Sequence, residues 1–252
     1  MTTPQVIQQT FSVPFAFPVV FTRGLFDPAN PVLKNVLTRL DEPGPHRVLA
    51  YLDSGVAEAF PELAGQLARY AAAHPSVLEL LAPPQVLTGG EAIKNDLPGF
   101  VGRLDELVDQ RLCRHSVVLA IGGGALLDAI GLAAALVHRG LRLVRVPTTV
   151  LAQNDSGVGV KNAINYRGTK NLLGAFAPPF AVINDFDFLR SLPAAAWTDG
   201  IAEAFKVAVI KDSAFFAWLC DHAAALRARD EAAMEYLVRR CAELHLEHIR
   251  SS

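Results

Sequence analysis

Three stretches of this sequence hold side chains of the kinds that bind anions, move protons or hold metal ions. In the first, residues 117–131 (VVLAIGGGALLDAIG), an apolar run enters Gly122-Gly123-Gly124 and continues in a helical pattern with Asp128 one turn in. Glycines at such a turn let the backbone approach a ligand closely, and the free N–H groups of the helix start favour a phosphate. The spacing is not GxGxxG. A ligand-free strand-to-helix turn, with Asp128 complementing the helix dipole, fits the bare pattern too. In the second stretch, residues 146–179, Thr148 and Thr149 end an apolar run. Gln153, Asn154, Asp155 and Ser156 follow, then Lys161, Arg167 and Lys170 among glycines and asparagines. Read as a polar loop, this mixture of amides and ammonium groups suits an anionic, hydroxylated ligand such as a sugar phosphate; a solvated loop is the plainer alternative. In the third, residues 199–212 (DGIAEAFKVAVIKD), Glu203 and Lys206 share one face of an apolar helix. They read either as an ordinary i, i+3 ion pair or as a metal ligand beside a substrate-contacting ammonium. His245 and His248, in HLEH, match neither HExxH nor HxxEH and read as a partly exposed helix face.

These groups need a frame, and the apolar pattern supplies one. The spacing predicts strands at residues 47–52, 76–81, 117–121 and 141–146. It predicts helices at about 32–40, from Gly55 to His74, from Lys94 to Arg111 and from the Gly122–Gly124 turn to Arg139. Strands alternating with helices imply βαβ units and a mainly parallel sheet. After Pro193 the pattern is almost wholly helical, which places a domain boundary there: residues 1–192 as an α/β domain and 193–252 as the start of an α-helical one.

Composition narrows the classes. The 252 residues are 51% hydrophobic and 19% charged, with a net charge of −2, enough apolar material for a large core. The basic footprint of a nucleic-acid binder and the polybasic patch of a membrane binder are both missing. Cys113, Cys220 and Cys241 are odd in number and far apart, which argues against a disulfide framework. The N-terminal run has no basic start of a secretory leader, and a cytoplasmic protein is expected.

Taken together, the motifs IGGGALLD, VPTTVLAQNDSGVGVKNAIN, GTKNLLGAF and GIAEAFK resemble, in this order, those of the 3-dehydroquinate synthase family of sugar phosphate cyclases. The resemblance runs from about Asp53 onward. It implies a Rossmann-like NAD domain followed by a helical domain, incomplete here. It also implies a lyase activity on a seven-carbon ketose phosphate, in which NAD and a divalent metal (zinc or cobalt) support phosphate elimination and an intramolecular aldol cyclisation. By that resemblance Asp53, Glu91, Lys94, Gly123, Gly124, Asp128, Thr148, Thr149, Phe188, Leu189, Arg190 and Ser191 would contact NAD. Asp155, Lys161, Lys170, Asn171 and Lys206 would line the catalytic pocket, with Lys161 and Lys170 also near the cofactor, and Glu203 would be a metal ligand. The family implies a homodimer, and further histidine ligands downstream of Ser252, so this stretch alone is expected to bind NAD at best. Two positions depart from the common pattern. His245 stands where dehydroquinate synthases usually show a lysine, and SGVGVKNAIN stands for the commoner SSVGGKTAVN. These departures suit a cyclase of the 2-epi-5-epi-valiolone synthase type, acting on sedoheptulose 7-phosphate. A metal-dependent glycerol or alcohol dehydrogenase shares the two-domain plan, and a protein that keeps NAD binding without catalysis is the non-enzymatic alternative.

Overall fold

The computed structural model describes residues 5–251. The apolar runs become a parallel sheet because both of its faces are covered. In β2 (His46–Asp53), Val48, Ala50 and Leu52 face one core with Leu119, Ile121, Val144 and Val146. Leu49 and Tyr51 face the other, with Val118, Ala120 and Leu126. Burial on both faces removes the polar alternation a half-exposed strand would show.

The order along the chain is β1 (Val19–Thr22), α1 (Val32–Leu37), β2, α2 (Ser54–Ala59), α3 (Leu63–Ala73), β3 (Leu78–Leu80), β4 (Gln85–Leu87), α4 (Ala92–Asn95) and α5 (Leu97–Asp109). Then come β5 (Val117–Gly122), α6 (Gly124–Leu136), β6 (Arg142–Pro147), a π-helical turn at Ala152–Ser156, β7 (Lys161–Tyr166), β8 (Thr169–Phe176) and β9 (Ala181–Asp185). A 3-10 turn, Phe186–Ser191, leads to α7 (Ala194–Lys211), α8 (Ser213–Asp221), α9 (Ala223–Arg227) and α10 (Glu231–Ser251). The main sheet runs β1-β9-β6-β5-β2-β3 with every pairing parallel, and β4 also pairs with β2. β3 and β4 lie on successive parts of β2, so they are one strand's worth of chain interrupted at Pro83-Pro84. From β2 the chain moves outward to β3, then returns to place β5 on β2's other side. That reversal makes the carboxyl ends of β2 and β5 a switch point, where open α/β sheets bind ligands.

Three expectations are corrected. The helix predicted from Gly55 to His74 is two helices, broken at Phe60-Pro61. The one predicted from Lys94 to Arg111 is also two, because Asp96 leaves helical geometry to cap α5 through Gly99 N–H, with Pro98 in its first turn. The expected polar loop at 146–179 is largely ordered, as the π-turn and the antiparallel hairpin β7–β8. That hairpin turns on Arg167 and Gly168, both at positive φ (48° and 76°), the geometry of a two-residue type I′ turn. A second core, around Trp197, Phe215, Leu219, Leu237 and Leu244, is shared by the helices with Val150, Phe186 and Leu189. No helix among the described residues is long and apolar enough to cross a membrane.

Candidate functional site

Polar groups gather at the carboxyl ends of the central strands. Gly122 ends β5 and Gly123 precedes α6 in extended geometry. A Cβ on Gly122 would lie 3.0 Å from the Asp53 Cβ, and one on Gly124 would lie 2.5 Å from Ser156 Oγ, so both positions are crowded by their neighbours. Beside it Thr148 is buried and its Oγ1 has no hydrogen-bond partner, although most buried hydroxyls have one. Thr149 Oγ1 accepts from Ala152 N–H. Asp53, at the end of β2, caps α2 by accepting from Gly55 N–H. A glycine-lined turn with an unsatisfied buried hydroxyl fits the pyrophosphate and sugar hydroxyls of a dinucleotide.

Lys94 is 3% exposed and donates to Asp128 Oδ2 at 2.8 Å and to Asn171 Oδ1. Burial pushes the Asp128 carboxyl up, and Lys94 opposes the rise. Asn171 N–H donates to Asn165 Oδ1, and Asn165 donates to Asn95 Oδ1 and Glu91 Oε2, so α4 is tied to the hairpin. Lys170 is 77% exposed, with Glu91 4.0 Å away.

From Asp128 a cleft of about 790 Å³ opens between the hairpin and the helices, lined by Asp128, Asp155, Lys161, Asn171, Lys206 and His245. Asp155 Oδ1 lies 2.9 Å from His245 Nδ1. Burial alone would raise the Asp155 carboxyl. The His245 hydrogen bond and charge, with Lys206 and Lys161, outweigh it and hold the group below the usual carboxylate range. Lys206 donates to Glu203 Oε1 at 2.9 Å, which raises the Lys206 ammonium. Nearby, burial pushes the Cys241 thiol up to about 12.

Most of the predicted residues therefore converge, but not all. Phe188 and Leu189 are buried in the two cores, Ser191 Oγ donates to Phe188 O, and Arg190 is exposed and pairs with Glu231 and Asp187. None of these four lines the large cleft. Among the described residues no group of three or more His, Cys, Asp and Glu could hold a metal ion. Glu203 with its Lys206 partner does not make a metal site on its own, since a catalytic zinc takes three protein ligands. His245 lies on a partly exposed face of α10, as expected, and that face looks into the cleft because α10 packs along the π-turn.

The family model described as 3-dehydroquinate synthase N-terminal matches residues 85–199, and the one described as 3-dehydroquinate synthase C-terminal matches residues 200–252, together two thirds of the chain. The chain belongs to the 3-dehydroquinate synthase family. Among relatives of this family, a 3-dehydroquinate synthase of Pseudoalteromonas atlantica is 41% identical over 162 residues, covering 64% of this chain and 45% of the relative. That of Bordetella pertussis is 46% identical over 140 residues, 56% of this chain and 39% of the relative. The chain thus spans less than half the length of these curated relatives. Among solved structures, ValA, the 2-epi-5-epi-valiolone synthase of Streptomyces hygroscopicus with NAD+ and Zn2+ bound, superposes with a TM-score of 0.84 at 31% identity. That match covers 97% of this chain and 64% of ValA.

Two groups escaped the reading of the sequence. Arg145, in the middle of β6, was absorbed into an apolar run, although a lone arginine in a buried strand pattern marks a site where a charge has partners. Asn162, treated as part of a loop, is 1% exposed and bonds to main-chain carbonyls of Val160 and Ala177.

Proposed function

We propose that this chain carries the cofactor half and part of the substrate half of a sugar phosphate cyclase of the 3-dehydroquinate synthase type. The reaction is phosphate elimination from a seven-carbon ketose phosphate followed by intramolecular aldol closure. The observation that carries this reading is the cleft that gathers Asp155, Lys161, Lys206 and His245 with Asp128, which stands one turn into the helix that the glycine turn opens. Lys161 and Lys206 supply positive charge for a phosphorylated ligand. Asp155 and Asn171 accept from and donate to its hydroxyls, and Lys170, at the exposed rim, joins them on ligand entry.

On this reading NAD lies along the carboxyl ends of β2, β5 and β6 and, when bound, supplies a reversible hydride acceptor, so none is consumed overall. Gly123 and Gly124 hold its pyrophosphate, Thr148 and Thr149 bind it with their hydroxyls, and Asp53 exchanges its capping bond for a ribose hydroxyl. Glu91, Lys94 and Asp128 flank the nicotinamide side, and Phe188, Leu189, Arg190 and Ser191 contribute at the end of β9. Zinc or cobalt is part of the proposal for the whole enzyme, with Glu203 as the one ligand present here. Residues 1–192 and 193–252 are proposed as the two domains, and a cytoplasmic homodimer as the assembly.

A second substrate, sedoheptulose 7-phosphate, is favoured by one observation. Likeness to ValA extends over 97% of the chain, including the part before residue 85 that the family model leaves unmatched. A screen of seven-carbon ketose phosphates with a chain that carries the remaining length of its relatives tests both, with phosphate release and no net NADH as the expected result. Steady NADH formation from a polyol would replace the cyclase reading with a dehydrogenase.

A further inference from the structure

Strand β6 carries a full charge in the interior of the sheet. Arg145 has no solvent exposure. Its guanidinium donates to Gly157 O at 3.1 Å, Gly159 O at 2.8 Å, Lys161 O at 3.1 Å and Asn162 Oδ1 at 2.5 Å. Gly157 and Gly159 lie in the short segment that joins the π-turn, with Asp155, to β7, and Lys161 and Asn162 are the first two residues of β7. This segment pairs with no strand before Lys161, so its carbonyls need donors from elsewhere. The planar fork of an arginine can serve several at once, which a lysine's single ammonium cannot match. Asn162 extends the clamp: it donates to Val160 O and Ala177 O, and its Oδ1 lies 1.9 Å from where a Cβ on Gly131 would stand, so it is pressed against α6. Burial pushes the guanidinium down to about 10, opposed by the charge of Asp128 on the same helix.

We propose that Arg145 is a positioning residue of the cleft: it holds the main chain from Gly157 to Asn162 so that Asp155 and Lys161 face the ligand together, and it fixes this segment against the helix that bears Asp128. The proposal deepens the cyclase reading and rests on it for the identity of the ligand.

Two variants test it. Arg145→Met keeps the volume and removes every donor; Arg145→Lys keeps a cation but cannot reach four acceptors. In Arg145→Met, amide hydrogen exchange at residues 158–163 should rise by about 10-fold or more, while α7 and β5 keep their rates. NAD affinity should stay unchanged. In the full-length enzyme with the seven-carbon ketose phosphate, kcat should fall by about 100-fold, the scale of an ångström-level misplacement, and KM should rise less. Arg145→Lys should recover only part of kcat. Unchanged exchange at 158–163 would overturn the proposal. So would exchange rising evenly over the whole chain with activity lost in proportion, which is plain destabilisation, or full recovery by Arg145→Lys. If the full-length wild-type enzyme releases no phosphate from any such sugar, the cyclase reading fails, and the exchange measurement still decides the role of Arg145.

Discussion

The buried pair Lys94–Asp128 offers the sharpest test of how the site is held. Lys94→Met removes the ammonium at nearly constant volume, so no cavity term enters. Asp128 then loses its ion-pair partner, while Asn171 loses the donor to its Oδ1. Breaking a buried pair by removing one partner costs about 3–5 kcal/mol. Asp128 keeps 20% of its side-chain exposure and can escape part of the cost by taking up a proton. We therefore expect about 3 kcal/mol at pH 7, the low end of that range. At about 2–4 °C per kcal/mol for a chain of this size, Tm should fall by about 6–12 °C. The pH dependence has a definite sign. Burial already places the folded-state pKa of Asp128 above its unfolded value, and Lys94 works against that rise, so its loss lifts the value further. A carboxyl raised in this way contributes stability that is complete below its unfolded pKa and is lost as pH rises through the folded one. The deficit of Lys94→Met should shrink as pH falls from 7 to 5, and adding Asp128→Asn should restore most of it at pH 7. Calorimetry of the four members of that cycle is the assay. A deficit under about 1 kcal/mol at pH 7, or one that does not change with pH, would refute the reasoning.

Four further outcomes are expected. Gly131→Ala places a methyl where Asn162 Oδ1 now lies and 3.2 Å from Leu143, so it should cost about 1–3 kcal/mol by thermal denaturation. His245→Ala removes the strongest influence holding the Asp155 carboxyl low. Stability from that depressed pKa is present above the unfolded value and lost as pH falls through the folded one. The gap between wild type and variant in urea titrations should therefore narrow below about pH 4. Lys161→Ala in the full-length enzyme should abolish phosphate release while circular dichroism stays at the wild-type value; retained turnover would remove Lys161 from the catalytic set. Trp197→Phe removes the indole donor to Leu226 O at 2.8 Å and leaves that carbonyl with Arg229 N–H, a hydrogen-bond loss of about 0.5–1.5 kcal/mol readable as a drop in denaturation midpoint.

The sheet was legible because a strand covered on both faces is a nearly continuous apolar run, as residues 48–52 and 117–121 are and as 141–146 is apart from Arg142 and Arg145. The glycine turn was legible because three consecutive glycines between such a run and a helix have few other uses. What escaped depends on single residues acting through tertiary context. Asp96 interrupts one long helical pattern because it caps the next helix. Arg167, which reads as a candidate ligand-binding cation, occupies a left-handed turn position that asparagine or glycine more often fills. His245 lies 90 residues beyond Asp155 in the sequence, and no local spacing reveals that α10 brings the two together.

The second core has a consequence for modularity. Its helices close over Val150, Phe186 and Leu189, residues that belong to the sheet side of the molecule. The junction between the two matched family models, at residues 199 and 200, falls inside the unbroken helix α7. The two halves that a sequence comparison separates are thus not interchangeable cassettes. Exchanging the C-terminal half between relatives at that junction would splice one helix from two parents and re-form a shared interior from side chains that never evolved together. Successful chimeras should need their crossover before Val150, so that the whole interior is inherited from one parent.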